Sequence, residues 1–247
     1  MDFSNCIHSD VYSWSYFIFN YMNLNHEVFT PFGPLIYRAN VQGDFLNFLL
    51  EHLNVMRNGE DAKHTLAGNI ESQKFALYPQ QEFISFVHPH ITNYLNENYL
   101  RTEKIYSNTF SKRKLYNPKN SKISYNLMQG PWINFSKKGE FNPMHNHSGK
   151  ISAIIFIDVP DKLEQERDDS PYSMKSSASL EFIFGNQHTI INPKTGMMYL
   201  FPSHLWHLVY PFNSDVERIS MSFNVDNLFV DDKRIEMDYD VDWLVEE

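Results

Sequence analysis

The clearest hydrophobic pattern lies in the second half of the chain. "KISAIIFIDV" (residues 150–159) is an almost unbroken β-branched run, long enough for a strand buried on both faces. Ahead of it, "SKISYNLMQGPWINFS" alternates apolar and polar residues, which predicts strand with a break at Gly130-Pro131. "ASLEFIF", "QHTII", "MMYLF" and "RISMSFNV" follow as short strands, with turns at 185–186 and 193–196. Another strand is expected to start at His207. Short strands joined by Gly, Pro and Asn turns predict a sandwich or barrel.

The first third has helical texture instead. Asp44 is placed to cap a helix through Phe45, Phe48, Leu49, Leu53 and Met56, with Gly59 as its stop. A second helix is expected after Pro79, with Phe83, Phe86, Val87, Ile91, Tyr94 and Leu95 on one stripe and a kink or division at Pro89. "DKLEQERDDSPYSMKSS" reads as a charged surface loop. The expected chain is mainly β with N-terminal helices. One domain, residues 1–247, would comprise helical support over 1–120, a barrel core over 121–230 and an acidic tail over 231–247 wrapped around the outside.

Composition narrows the function classes. With 42% apolar and 15% aromatic residues in 247, one large core is well supplied. A net charge of −9 disfavours non-specific nucleic-acid binding and attraction to anionic membranes, both of which need clustered Lys and Arg. Cys6 is the only cysteine, so an intrachain disulfide is excluded. The first residues, "MDFSNCIHSDVYSWSYFIFN", have neither a basic start nor a long apolar run, and the expectation is a soluble, cytoplasmic protein. Oligomeric state has no readable signal.

Candidate chemistry concentrates in "GEFNPMHNHSGKIS". His145 and His147 lie two residues apart, so on a strand they would share a face. His207, in "LFPSHLWHLVYP", is a third candidate that a barrel could bring to the same mouth. Three ligands on one side of a metal leave its remaining positions open for water, oxygen or substrate. His204 competes with His207 but reads better as a rim residue beside Trp206. His8, His26, His52, His64, His88, His90 and His188 read as surface or capping residues.

Arg218 and Ser220, in "ERISMSFNV", share a strand face. An arginine projecting into a barrel needs an anion, because an unpaired buried charge is costly. Its planar fork suits a carboxylate held bidentately, either from a ligand or from an Asp or Glu of the protein itself. His145-Asn146-His147 is not a nuclease signature, since no basic surface accompanies it.

Together, "WINFSKKGEFNPMHNHSGKIS" and "YLFPSHLWHLVYPFNSDVERISMSFNV" resemble the iron(II)/2-oxoglutarate-dependent oxygenases. The resemblance is closest to a group with a His-x-His motif, many of them phage-encoded, which would place the protein in the cytoplasm of a cell or of an infected host. It spans Trp132 to Val225, with weaker similarity in "FTPFGPLIYRANV" and "HTLAGNIES". It implies a double-stranded β-helix, a jelly-roll of cupin-like form, holding Fe(II). It further implies oxidative decarboxylation of 2-oxoglutarate to succinate by O2, coupled to hydroxylation of a small-molecule or peptide substrate. Carried onto this chain, His145 and His207 are iron ligands, and Arg218 with Ser220 anchors the co-substrate. His147 stands where such oxygenases usually carry Asp or Glu. It is either a third ligand, or a neighbour of the metal whose place is taken by water or by a carboxylate, of which Glu181 is the one to suspect.

The same residues also fit a cupin. Gly139, five residues and His145-x-His147 match half of its first motif, and Gly196, five residues, Pro202 and His207 match much of its second. A cupin would be an oxoacid-independent dioxygenase, an isomerase or a sugar-binding module. A third possibility is a non-catalytic barrel that uses the histidines for zinc. The pair Arg218 and Ser220 favours the oxoglutarate reading.

Overall fold

The structure, a computed structural model, describes residues 24–31, 33–76, 78–106, 121–171 and 175–234. Its first part contains β1 (His26–Phe29), β2 (Ile36–Asn40), α1 (Asp44–Glu51), α2 (Leu53–Arg57), a 3₁₀ turn at Lys63–Thr65, β3 (Gln73–Phe75) and α3 (Gln80–Tyr106). There follow β4 (Ile123–Ser136), β5 (Asn142–His145), β6 (Ile151–Asp158), α4 (Asp161–Asp168), β7 (Leu180–Phe184) and β8 (Gln187–Ile191). β9 (Met197–Pro202), β10 (Trp206–Val209), β11 (Arg218–Val230) and β12 (Lys233–Arg234) complete it. Cys6, His8 and most of the acidic tail lie outside the described residues.

Two antiparallel sheets carry the architecture. One runs β1-β2-β9-β6-β11-β4-β3, with β12 beside β11, and the other runs β5-β10-β7-β8. Counting β4 to β11 as strands one to eight, their order is 1-8-3-6 in the first sheet and 2-7-4-5 in the second. That interleaving is the double-stranded β-helix, or jelly roll, expected from the sequence resemblance.

Strand alternation decides what each face of the large sheet touches. On β6, Ile151, Ala153, Ile155 and Ile157 join the cluster that includes Phe45 and Leu49 of α1 and Phe83, Val87 and Ile91 of α3. Ile154 and Phe156 point the other way and pack in a second cluster with Leu180, Phe182, Phe201 and Val209, between the two sheets. β6 is buried along seven of its eight residues, as its unbroken apolar run requires. Each fully buried Ile or Phe contributes about 1.5–3 kcal/mol of transfer free energy.

Several expectations change. The N-terminal part is not purely helical, because β1, β2 and β3 extend both edges of the large sheet. The first helix is divided: α1 ends at His52 (φ −94°, ψ −1°), whose ring Nδ1 bonds Phe48 O at 2.7 Å, and α2 starts after it. Its N-cap is Gly43 (φ +84°), so Asp44 is the first helical residue rather than the cap.

Pro89 does not divide α3, which runs on through it. The lost hydrogen bond and ring clash cost about 3 kcal/mol. Phe83 and Val87 before it, and Ile91, Tyr94 and Leu95 after it, are all fully buried, and together they outweigh that cost.

Gly130-Pro131 is likewise not a break, since β4 continues through it. Ser222 faces Trp132 and Asn224 faces Met128, so three β4 residues oppose one on β11. Gly130 takes φ +72° in this bulge, a conformation that a side chain would strain. The charged segment 161–168 is a helix, α4, not a loop. Asp161 and Glu164 lie in its first turn, where the helix dipole favours acids. Its Leu163 is buried against Ala178 and Phe212.

Candidate metal centre

Strand pairing alone brings two of the histidines together. His145, the last residue of β5, lies directly opposite His207 on β10, and β10 is held on its other side by β7. Their ring centroids are 4.3 Å apart. His147 lies beyond the strand, in the turn toward β6, so it does not share a strand face with His145 as the two-residue spacing suggested. The turn delivers it all the same. Its backbone N–H donates to Ser203 O at 2.8 Å, and its ring stands 4.9 Å from that of His145 and 5.1 Å from that of His207.

One nitrogen from each histidine lies within 4.8 Å of the other two. Three nitrogens held on one side of an ion at ~2.1 Å each stand roughly 3.0–3.4 Å apart. Ligation therefore needs the rings to draw together by roughly 1.5 Å at the widest pair.

Tautomer and charge are set by the surroundings. His145 Nδ1 bonds Pro143 O at 2.7 Å and His207 Nδ1 bonds Leu205 O at 2.9 Å. A carbonyl only accepts, so each Nδ1 carries the proton and each Nε2 keeps its lone pair. Burial lowers all three ring pKa values below the usual histidine range. His207 falls to about 3 and His147 to about 4, through burial first and then repulsion between the rings. For His145 burial outweighs the opposing bond to Pro143. The three rings are thus neutral imidazoles at pH 7, the form that binds a cation.

These rings open onto a cavity. Trp132, Ile154, Leu180 and Phe201 supply its apolar walls, and Gln73, Asn142, Ser152 and Ser222 its polar ones. Sequence reading missed Gln73 and Asn142, which carry no motif and reach the cavity only through tertiary pairing. Ser152 donates to Asn224 Oδ1 at 2.7 Å beneath the cavity floor.

Ser222 lines the cavity, while Ser220 and Arg218 follow inward on the same face of β11. Neither of these two reaches the open cavity. Both are buried, Arg218 to 2% exposure. Arg218 donates from Nη1 to Ala178 O at 2.7 Å and from Nη2 to Ser136 Oγ at 3.4 Å, and its Nε has no partner among the described residues. No carboxylate of the described residues pairs with it. Burial pulls its pKa down to about 10, and it remains a cation at pH 7.

Glu181 is not part of this group. It alternates with Leu180 and Phe182, which face the interior, and its carboxylate accepts from Tyr210 Oη and pairs with His188 Nδ1. The carboxylate suspected as an alternative ligand is therefore occupied on the outer face of the smaller sheet. Among the other histidines, His90 is not a surface residue. It is buried and bonds Tyr37 Oη at 2.8 Å.

Comparison with known proteins follows the same lines. Residues 130–224 match the family described as "Putative 2OG-Fe(II) oxygenase", and His145, His147, His207, Arg218 and Ser220 all fall in that span. No curated protein sequence matches the chain. Among solved structures it is similar to a Pseudomonas putida prolyl-4-hydroxylase, at 13% identity over 77% of this chain and 91% of that one, with a TM-score of 0.46. It is also similar to a Trichoplax adhaerens prolyl hydroxylase in complex with a hypoxia inducible factor oxygen degradation domain peptide fragment. That similarity is 13% identity over 77% of this chain and 83% of the other, with a TM-score of 0.47. A third is an oxidoreductase of the 2OG-Fe(II) oxygenase family from Burkholderia pseudomallei, at 13% identity, 77% and 68% coverage and a TM-score of 0.39.

Proposed function

We propose that this chain is an iron(II)- and 2-oxoglutarate-dependent dioxygenase that hydroxylates a small-molecule or peptide substrate. The observation that carries the reading is Arg218, a buried cation with no carboxylate partner among the described residues, on the strand that also lines the histidine cavity. Leaving such a charge unpaired is costly, and a dicarboxylate reaching inward from the cavity would neutralise it. A cupin without an oxoacid, or a structural zinc barrel, has no use for that charge.

The donor set fits the metal. His145, His147 and His207 offer three neutral nitrogens from one side, which leaves the opposite positions for an oxoacid and oxygen. When bound, iron and 2-oxoglutarate supply oxygen activation, with the oxoacid decarboxylated to succinate. The chain does the rest. Arg218 and Ser220 hold the far carboxylate. The hydrogen bonds at Pro143 and Leu205 fix two ligand rings in the required tautomer. Trp132, Leu180 and Phe201 keep water from the reacting centre. With three neutral ligands in place of the usual two histidines and a carboxylate, the site has one fewer negative charge. The oxoacid's other carboxylate would then supply the compensating anion.

Anaerobic titration of the apoprotein with iron(II), then 2-oxoglutarate, tests this directly. A weak visible charge-transfer band, discharged by oxygen with succinate formed, is the expected result. Iron binding without the band would favour the cupin reading, and no iron binding would leave the zinc barrel.

A further inference from the structure

Two carboxamides, those of Gln73 and Asn142, line the cavity that the three histidines share. Gln73 on β3 is 1% exposed, and its Nε2 donates to Asn134 Oδ1 at 3.0 Å. That bond leaves Gln73 Oε1 buried without a partner among the described residues, and Asn142 Oδ1 is in the same condition. Asn142 begins the four-residue strand that His145 ends.

A third residue joins this wall. A methyl group on Gly68 would stand 2.3 Å from Asn142 Oδ1 and 2.6 Å from Gln73 Nε2, far inside contact distance. Glycine here allows the loop at 66–68 to close directly onto the two carboxamides, and it places them within 5 Å of each other. Buried polar atoms are nearly always paired, so two unpaired acceptors in one cavity wall ask for a donor that the folded chain does not supply.

We infer that Gln73 and Asn142 are specificity determinants, which select a substrate presenting an amide N–H beside the metal centre. A turn of each carboxamide toward the cavity lets its acceptor receive that N–H. The ligand's carbonyl faces the carboxamide N–H groups of the same wall. No charged side chain of the described residues lines the cavity, so these two carboxamides have no ionic competitor in its wall. Calling the ligand a substrate rests on the oxygenase reading. The donor preference of the wall does not.

Zinc-loaded full-length protein can be probed by saturation-transfer NMR with N-methylamides of simple carboxylic acids, each paired with its methyl ester, which has no N–H. Amides are expected to bind about tenfold more tightly than esters, the effect of one buried acceptor left unsatisfied. Gly68→Ala and Gln73→Met should each erase that preference while keeping the iron(II)/oxoglutarate band, which also shows that the variants are folded. Equal binding of amides and esters, or no binding of either, overturns the inference even if the band forms. An amide preference without the band upholds the wall's selectivity and removes the oxygenase reading instead.

Discussion

Replacing Arg218 with methionine separates two effects of opposite sign. In the free protein the guanidinium is buried with two hydrogen bonds, at 2.7 and 3.4 Å, and no counter-charge among the described residues. Exchanging an uncompensated buried charge for an apolar side chain of similar length relieves the desolvation cost of that charge, a stabilising change. Ala178 O loses its donor in return, at a cost of about 1–3 kcal/mol, so the unliganded stability should change little. Oxoglutarate binding should suffer instead. Truncating one partner of a buried charge pair costs about 2–5 kcal/mol, or roughly 30- to 5,000-fold in affinity.

Thermal unfolding of the manganese(II)-loaded protein reads both, because manganese forestalls turnover of the oxoacid. At a hundred times its dissociation constant, 2-oxoglutarate should stabilise the native protein by about 2.7 kcal/mol. In a chain of this size that is roughly 5–10 °C in Tm. In R218M at the same concentration the gain should fall below about 1 kcal/mol. Undiminished oxoglutarate stabilisation, combined with a loss of more than about 3 kcal/mol in the free protein, would show that Arg218 is a structural cation.

Other consequences are open to the same kind of check. His145→Ala or His207→Ala should leave the far-ultraviolet circular dichroism unchanged while weakening metal binding at least tenfold in a competitive chelator titration. Glu181→Gln should bind metal as the parent does, since its carboxylate serves Tyr210 and His188; lost metal affinity would return Glu181 to the centre. Gly130→Val should destabilise the protein by about 1–2 kcal/mol in urea, because φ +72° is costly for a side chain, and an unchanged midpoint would mean that the bulge relaxes freely. His90 should shape the acid limb of stability. Burial, with a smaller push from His26, lowers its folded pKa to about 4, so the unfolded chain binds a proton first as the pH drops below about 6.5. Stability then falls by up to about 1.4 kcal/mol per pH unit between 6.5 and 4, and His90→Gln should flatten that slope.

How far the sequence could be read follows from how local each signal is. β6 was legible because burial on both faces writes an unbroken apolar run. The β7–β8 hairpin was legible because Gly185 marks its turn with φ +61°. β1 and β3 were not, since four and three residues at a sheet edge show almost no periodicity. α4 hid behind its charges, with Leu163 its only apolar residue, although the acids of its first turn were a usable start signal. Gly130-Pro131 was read as an ending because a bulge and a turn recruit the same residue types. At the site, His145, His207 and Arg218 announced themselves by motif. Gln73 and Asn142 are ordinary amides until folding brings them to one wall, and Glu181 could be set aside only once its strand face was known.

β11 comes late in the chain order. It pairs with β4 on one side and β6 on the other, yet it follows both by some sixty residues or more. During synthesis those two strands must wait, each with an unpaired edge, until Arg218 to Val225 emerges to fill the gap. Such edges invite pairing with other chains, so the half-made barrel is the state most exposed to aggregation. The strand that closes the gap also carries Arg218. A chain that stopped before it would therefore lose the proposed arginine anchor and the completed large sheet together.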